Sequence, residues 1–237
     1  MIRIQGACSV NHQSLFSGLD LTLAKGKWTC LLGSSGVGKS TLLRLLAGLP
    51  TGAEFSGVIT GAPEHVAYMA QQDLLMPWLN VQENVLLGPR LRGEPGHLER
   101  AQALLEQVGL GGFEQRPVSQ LSGGQRQRVA LARTLMEDRE LVLLDEPFGA
   151  LDARTRSQMQ ELTADCLYGR TVLLVTHDPA EAARMGESIY LMTAQGVESI
   201  PAMQGPPPQA FDKPELLKLQ TQLLHRLRGD TLKGGVN

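Results

Sequence analysis

The run Gly33-Ser34-Ser35-Gly36-Val37-Gly38-Lys39-Ser40 satisfies the pattern Gly-x-x-x-x-Gly-Lys-[Ser/Thr] in full, and Thr41 follows it. Glycines let successive backbone N–H groups turn inward around a phosphate chain. A helix that begins there adds the partial positive charge of its N-terminus. Lys39 is then within reach of the terminal phosphates, the Ser40 hydroxyl suits Mg²⁺, and Thr41 falls toward the α-phosphate. Two carboxylates, Asp145 and Glu146, close the apolar run Leu141-Val142-Leu143-Leu144. Asp145 in that position suits the metal, and Glu146 can orient and polarise an attacking water. His177 closes a second apolar run, residues 171–176. A neutral imidazole at a strand end faces the ligand crevice of an α/β sheet, where it can hydrogen-bond a γ-phosphate and its attacking water. A further glycine pair lies in Leu121-Ser122-Gly123-Gly124-Gln125. Ser122 suits a helix cap and the glycines expose N–H groups, so this is a second anion site. It lies too far along the chain to share the first loop's phosphate, which points to two copies meeting face to face.

The elements needed to position these groups can be read from the flanking pattern. Trp28-Thr29-Cys30-Leu31-Leu32 is a buried strand that stops at Gly33, and Leu42, Leu43, Leu45 and Leu46 form an apolar helix ending near Gly48 and Pro50. Residues 19–23 alternate apolar and polar as a half-buried strand does. The strand signal then returns at residues 141–144 and 171–176, with a helical middle between, patterned over residues 98–108. Strands alternating with helices predict an α/β fold on a largely parallel sheet, the middle being an insertion. Gly205-Pro206-Pro207-Pro208 reads as a stiff linker. Beyond it, Leu216, Leu219, Leu223 and Leu227 share a helix face, which packs on its own domain or else on another subunit.

Composition narrows the class. The 237 residues are 42% hydrophobic and 19% charged with a net charge of −2, which excludes a mostly disordered chain and gives no basic footprint for nucleic acid. Cys8, Cys30 and Cys166 are odd in number and widely spaced, so neither a disulfide scaffold nor a zinc site is expected. No apolar run approaches the ~20 residues of a membrane helix, and MIRIQGACSV lacks the apolar stretch of a signal peptide. Contact with a membrane is expected only through a partner or a surface patch. No asparagine is followed by Lys, so the Asn-Lys-x-Asp element of GTP-specific switches is missing and ATP is favoured.

With these motifs in hand, the sequence resembles the nucleotide-binding subunit of ATP-binding cassette (ABC) transporters over nearly all of residues 1–200. The resemblance implies a P-loop NTPase fold of ABC type: a mostly parallel sheet core, an antiparallel β subdomain, and a helical subdomain inserted at about residues 74–122. Residues 201–237 would be a Pro-rich linker and an amphipathic helix. It also implies roles. Residues 33–41 look like the Walker A loop, and residues 122–125 like the signature that contacts the ATP of a second copy. Asp145 and Glu146 look like Walker B plus the catalytic glutamate. Asp152, in Gly149-Ala150-Leu151-Asp152, looks like the D-loop aspartate, and His177 like the switch histidine. In Gln71-Gln72-Asp73 the family's spacing from Pro77-Trp78 selects Gln71 as the Mg²⁺ and water contact. The metal set is then Ser40, Gln71 and Asp145. The family's adenine-stacking aromatic is missing from Ser9-Val10-Asn11-His12-Gln13, which leaves His12 as a possible adenine contact.

A narrower resemblance lies in Leu75-Met76-Pro77-Trp78-Leu79-Asn80-Val81-Gln82-Glu83-Asn84-Val85. It is similar to the ATPase subunits of bacterial importers for nitrate, sulfonates, taurine and thiamine-precursor pyrimidines. That implies an ATPase with membrane permease subunits, a solute-binding protein and a second copy of itself as partners. It would sit at the cytoplasmic face of the bacterial inner membrane. Trp78 would lie near the permease's docking groove, or is simply a core aromatic. Rival readings are an exporter subunit, a soluble cassette ATPase, and a non-hydrolysing regulatory subunit. Intact Glu146 and His177 argue against the last.

Overall fold

A computed structural model describes residues 1–94 and 96–234, with side chains as far as residue 229. In chain order the elements begin β1 (Ile2–Val10), β2 (Gln13–Leu23), β3 (Trp28–Gly33), α1 (Lys39–Leu46), β4 (Ala53–Thr60) and β5 (Ala67–Met69). They continue α2 (Val81–Val85), α3 (Leu87–Leu91), α4 (Leu98–Gln107), α5 (Gly123–Met136), β6 (Leu141–Asp145) and α6 (Ala153–Cys166). Last come β7 (Thr171–Thr176), α7 (Pro179–Met185), β8 (Ser188–Thr193), β9 (Gly196–Ile200) and α8 (Pro214–Gly234). The chain forms two compact units: Met1–Glu64 with Gly169–Asn237, and His65–Tyr168.

The first unit holds two kinds of sheet. β1 lies between β2 and β4, antiparallel to both, with Ile4 opposite Leu21 on one side and Ile59 on the other. Ile2, Ile4, Leu19, Leu21 and Leu23 alternate inward and are buried, while the intervening residues are polar. β3 runs parallel between β7 and β8, and β9 adds antiparallel to β8. β3 and β7 are buried at every position, which explains why their sequences are continuous apolar runs rather than alternating ones. Leu42, Leu43 and Leu46 give α1 its buried face.

Two expectations change here. The sequence marks a strand at residues 66–70 leading into Gln71, which β5 matches, but none at residues 53–60, where β4 lies. β4 buries no residue fully, so no alternation marks it; its pairing with β1 defines it. The Pro-rich segment, expected as a stiff linker, is also pinned to a helix. Gln209 is 3% exposed; its N–H donates to the Arg184 carbonyl at 2.8 Å, and Arg184 Nε donates back to the Gln209 carbonyl at 3.2 Å. The Arg184 guanidinium also stacks 3.8 Å over the Phe211 ring. These contacts tie the segment to α7. Leu216, Leu219 and Leu223 are buried and α8 packs on α7, so the leucine face turns inward within this unit.

In the second unit β5 and β6 pair in parallel, Ala67 opposite Val142. Val81, Val85, Ala101, Leu105, Val129 and Leu131 are fully buried among the helices. α2 starts on a capping box in which Asn80 accepts from the Glu83 N–H and the Glu83 carboxylate accepts from the Asn80 N–H. Asn84, with no exposed surface, accepts from the Met76 N–H at 2.7 Å and donates to the Met76 and Asn80 carbonyls. That side chain stands in for backbone partners and fixes the loop carrying Trp78.

Candidate functional site

The first unit carries the phosphate loop. Gly36 and Gly38 have φ of 85° and 101°, left-handed values that a turn this tight requires. A Cβ on Gly38 would also lie 2.8 Å from the buried Phe16 ring. Gly38 caps α1 without any side-chain acceptor, so no capping side chain competes for the first-turn N–H groups. Lys39 is 4% exposed, and its Nζ donates to the Gly33 and Ser34 carbonyls, each at 2.9 Å. The loop thus holds its own lysine across its mouth. Ser40 and Thr41 open the helix directly behind it.

His177 is exposed at the end of β7. The buried residue beside it, Thr176, hydrogen-bonds the buried Glu181 carboxylate through its hydroxyl and accepts the Asp178 N–H at 3.0 Å. Asp178 in turn caps α7 by accepting the Ala180 N–H at 2.8 Å. The histidine therefore stands on a turn fixed at both ends. His12 is exposed at the β1–β2 turn with φ of 64°.

The second unit carries the acid pair. Asp145, 4% exposed at the end of β6, accepts the Tyr68 hydroxyl at 3.1 Å. Glu146 follows with φ of 46°, a left-handed value uncommon outside glycine and characteristic of functional turns. Gln71 Nε2 donates to Glu146 Oε2 at 3.2 Å, so of the two adjacent glutamines the structure brings Gln71 to the carboxylate. The next peptide is held from α5, where buried Gln127 donates to the Pro147 carbonyl at 2.5 Å.

The second glycine motif also lies in this unit. Ser122 accepts the Gln125 N–H at 3.3 Å while Gln125 Oε1 accepts the Ser122 N–H at 2.9 Å, a complete capping box on α5. A Cβ on Gly124 would meet Thr155 Cγ2 at 2.8 Å, so any other residue there would force Thr155 to shift. Thr155 also donates to Asp152, which caps α6 by accepting the Arg154 and Thr155 N–H groups, each at 3.1 Å. The Thr155 hydroxyl and these amides hold the Asp152 carboxyl below its ordinary value. Residues 122–125, Arg128, Asp152 and Thr155 line one groove of about 520 Å³.

Trp78 is 75% exposed, so it is not a core aromatic. The side chains that sequence reasoning passed over are Tyr68, Gln127, Glu181, Arg126 and Arg133. Arg126 Nε donates to Asp73 Oδ2 at 3.0 Å, and Arg133 donates to the Asp73 and Leu74 carbonyls. Burial lowers the Arg133 guanidinium from its ordinary value, and the nearby Asp73 carboxylate works the other way. A signal existed for this pair: two arginines seven residues apart fall on one helix face.

A glycine loop between a buried strand and a helix, with an acid pair closing a parallel strand, defines a phosphate-loop NTPase. The family model described as ABC transporter matches residues 16–149, more than half of the chain. An uncharacterized ABC transporter ATP-binding protein of Haemophilus influenzae is 46% identical over 97% of this chain and 100% of its own. The aliphatic sulfonates import ATP-binding protein SsuB 1 of Rhodococcus jostii is 51% identical over 76% of this chain and 73% of its own. Among solved structures, the ATP-binding cassette MJ0796, dimeric in a post-hydrolysis state with ADP and Pi, superposes with a TM-score of 0.72 at 27% identity. The match covers 86% of this chain and 100% of that one. The chain belongs to the ABC transporter family as an ATP-binding subunit, and it is an ATPase.

Proposed function

We propose that this ATPase powers a bacterial importer for an aliphatic sulfonate. The observation that carries the reading is the 51% identity to the Rhodococcus jostii protein, which is named for that import. Nitrate and pyrimidine precursors stay outside it because the names of the relatives point to sulfonates, a class that includes taurine. The exposed Trp78, on a loop fixed by Asn84, supports a docking face for a membrane permease. The remaining partners in this reading are a solute-binding protein and a second copy of the chain, at the cytoplasmic face of the inner membrane.

Residues 1–200 serve as the nucleotide-binding domain, and residues 201–237 as an appended tail. Residues 33–41 hold the ATP phosphates, with the Lys39 ammonium exchanging loop carbonyls for phosphate oxygens. His12 is the candidate for stacking on adenine. Ser40, Asp145 and Gln71 offer a hydroxyl, a carboxylate and an amide oxygen, a hard-donor set that fits Mg²⁺. The nearly buried Asp145 carboxylate, with Tyr68 on one oxygen, suits a cation as counter-charge. Bound Mg²⁺ would neutralise charge on the phosphates. Glu146 polarises the attacking water, Gln71 orients the carboxylate, and His177 donates to the γ-phosphate. Residues 122–125 and Asp152 meet the ATP held by the second copy. ATP over ADP drives closure only by its differential contacts in the closed pair.

The test is uptake of a radiolabelled alkanesulfonate by cells carrying the wild-type chain or Lys39→Ala. Uptake with the first and none with the second is expected. Equal uptake in both, with the chain absent from purified permease, would overturn the importer reading.

A further inference from the structure

Residues 71–75 are held by α5, whose first turn is the signature motif. Leu74 has φ of 47°, a left-handed conformation that a leucine keeps only where its surroundings impose it. The surroundings are two guanidinium groups. Arg133 Nη1 donates to the Leu74 carbonyl at 2.8 Å and Nη2 to the Asp73 carbonyl at 2.5 Å, a fork across consecutive peptides. Arg126 Nε donates to Asp73 Oδ2 at 3.0 Å, while its Nη1 donates to the carbonyl of Leu121, the residue before the signature serine. Asp73 Oδ1 closes the turn by accepting the Leu75 N–H at 3.2 Å. Two residues upstream, Gln71 reaches Glu146 at 3.2 Å.

We propose that Arg126 and Arg133 are positioning residues that carry the placement of the signature helix to Gln71, and through it to the orientation of Glu146. This rests on the roles given above to Gln71 and Glu146. A shift of α5 when its N-terminus engages nucleotide moves both guanidinium groups, of which Arg126 holds the Asp73 carboxylate and Arg133 the Asp73 and Leu74 carbonyls, just downstream of Gln71. The chemistry at Glu146 is thereby tied to occupancy at the signature. Arginine suits the task because its planar fork fixes two carbonyls at once, whereas a lysine ammonium is a single swivelling point charge.

The experiment is a double-mutant cycle on the full chain, reading ATPase kcat, KM for ATP, nucleotide affinity and Tm. Arg133→Gln is expected to lower kcat about tenfold or more through misplacement of Gln71, and Arg133→Lys to recover part of it. Nucleotide affinity and KM stay within about twofold, since neither arginine touches the phosphate loop. In a Gln71→Ala background Arg133→Gln adds less than about twofold, because its effect passes through the glutamine. Unchanged kcat in Arg133→Gln overturns the proposal, as do losses that multiply in the double variant. Where Arg133→Gln fails to fold, Arg126→Gln, on the half-exposed pair, reads the same cycle with the same two outcomes. A wild-type chain without ATPase activity would instead overturn the functional reading beneath it.

Discussion

The two glycine motifs are built on the same local principle and end in opposite states. At residues 33–41 the helix N-terminus has no side-chain cap, the lysine is 4% exposed, and its ammonium is held by carbonyls of its own loop. The loop is closed on its own lysine, and no capping side chain meets its first-turn amides. At residues 122–125 the helix is capped by its own Ser122 and Gln125, and the motif borders an open groove. In the proposed reading this outward surface is half a site. A cradle with its own cation can bind nucleotide alone, while a capped and outward-facing motif acts only when another surface supplies the phosphate. On the proposed roles, the difference separates nucleotide binding at the first motif from pairing with a second copy at the second, on which turnover at Glu146 depends.

The largest expected effect is on turnover. Glu146→Gln, which removes the base but keeps the side chain's shape, should lower kcat about a hundredfold or more while ATP still binds. Normal turnover would remove Glu146 from the role of base. Lys39→Ala breaks the first motif instead. Loss of a charged donor to phosphate should weaken ATP binding by roughly 10–100-fold, read by calorimetry. Binding that stays unchanged would contradict the closed-cradle picture.

Gly124→Val breaks the second motif alone, because its Cβ would press on Thr155 Cγ2 from 2.8 Å. Turnover should fall by about tenfold while nucleotide affinity holds. If affinity falls in step, the two motifs are not separable. Ser122→Ala, which removes the cap, should cost about 1 kcal/mol, visible in chemical denaturation. The smallest effect concerns Cys166, at the end of α6. Burial and then Asp165 push its thiol up to about 11. The folded state thus favours the neutral thiol, a contribution present below the ordinary thiol range and lost as pH climbs through 11. Alkylation of native protein should be slow at pH 8 and quicken toward pH 11; rapid labelling at pH 8 would show an open α6 end.

The contrast between the motifs was half legible in the sequence. The phosphate loop is contiguous, and its flanking strand is a continuous apolar run, so residue types and order suffice. The α8 packing face was legible from leucine spacing. The Arg126–Asp73 pair was not, because 53 residues separate its members and only the packed helix brings them together. β4 escaped notice because it buries no residue fully and is defined by pairing. Trp78 left two options that local pattern does not separate, since exposure depends on what Asn84 does to the loop. The Gln209 clasp on Arg184 is not legible because the proline run before it reads only as a stiff linker.

The most direct measurement is the mass in solution of Glu146→Gln by light scattering, with and without saturating ATP and Mg²⁺. If the second motif is half a site, ATP should bring the particle to twice the 25.7 kDa of a single chain. Replacing ATP by ADP should return it to one. A mass that stays at that of a single chain while ATP is bound would contradict the division of labour between the two motifs.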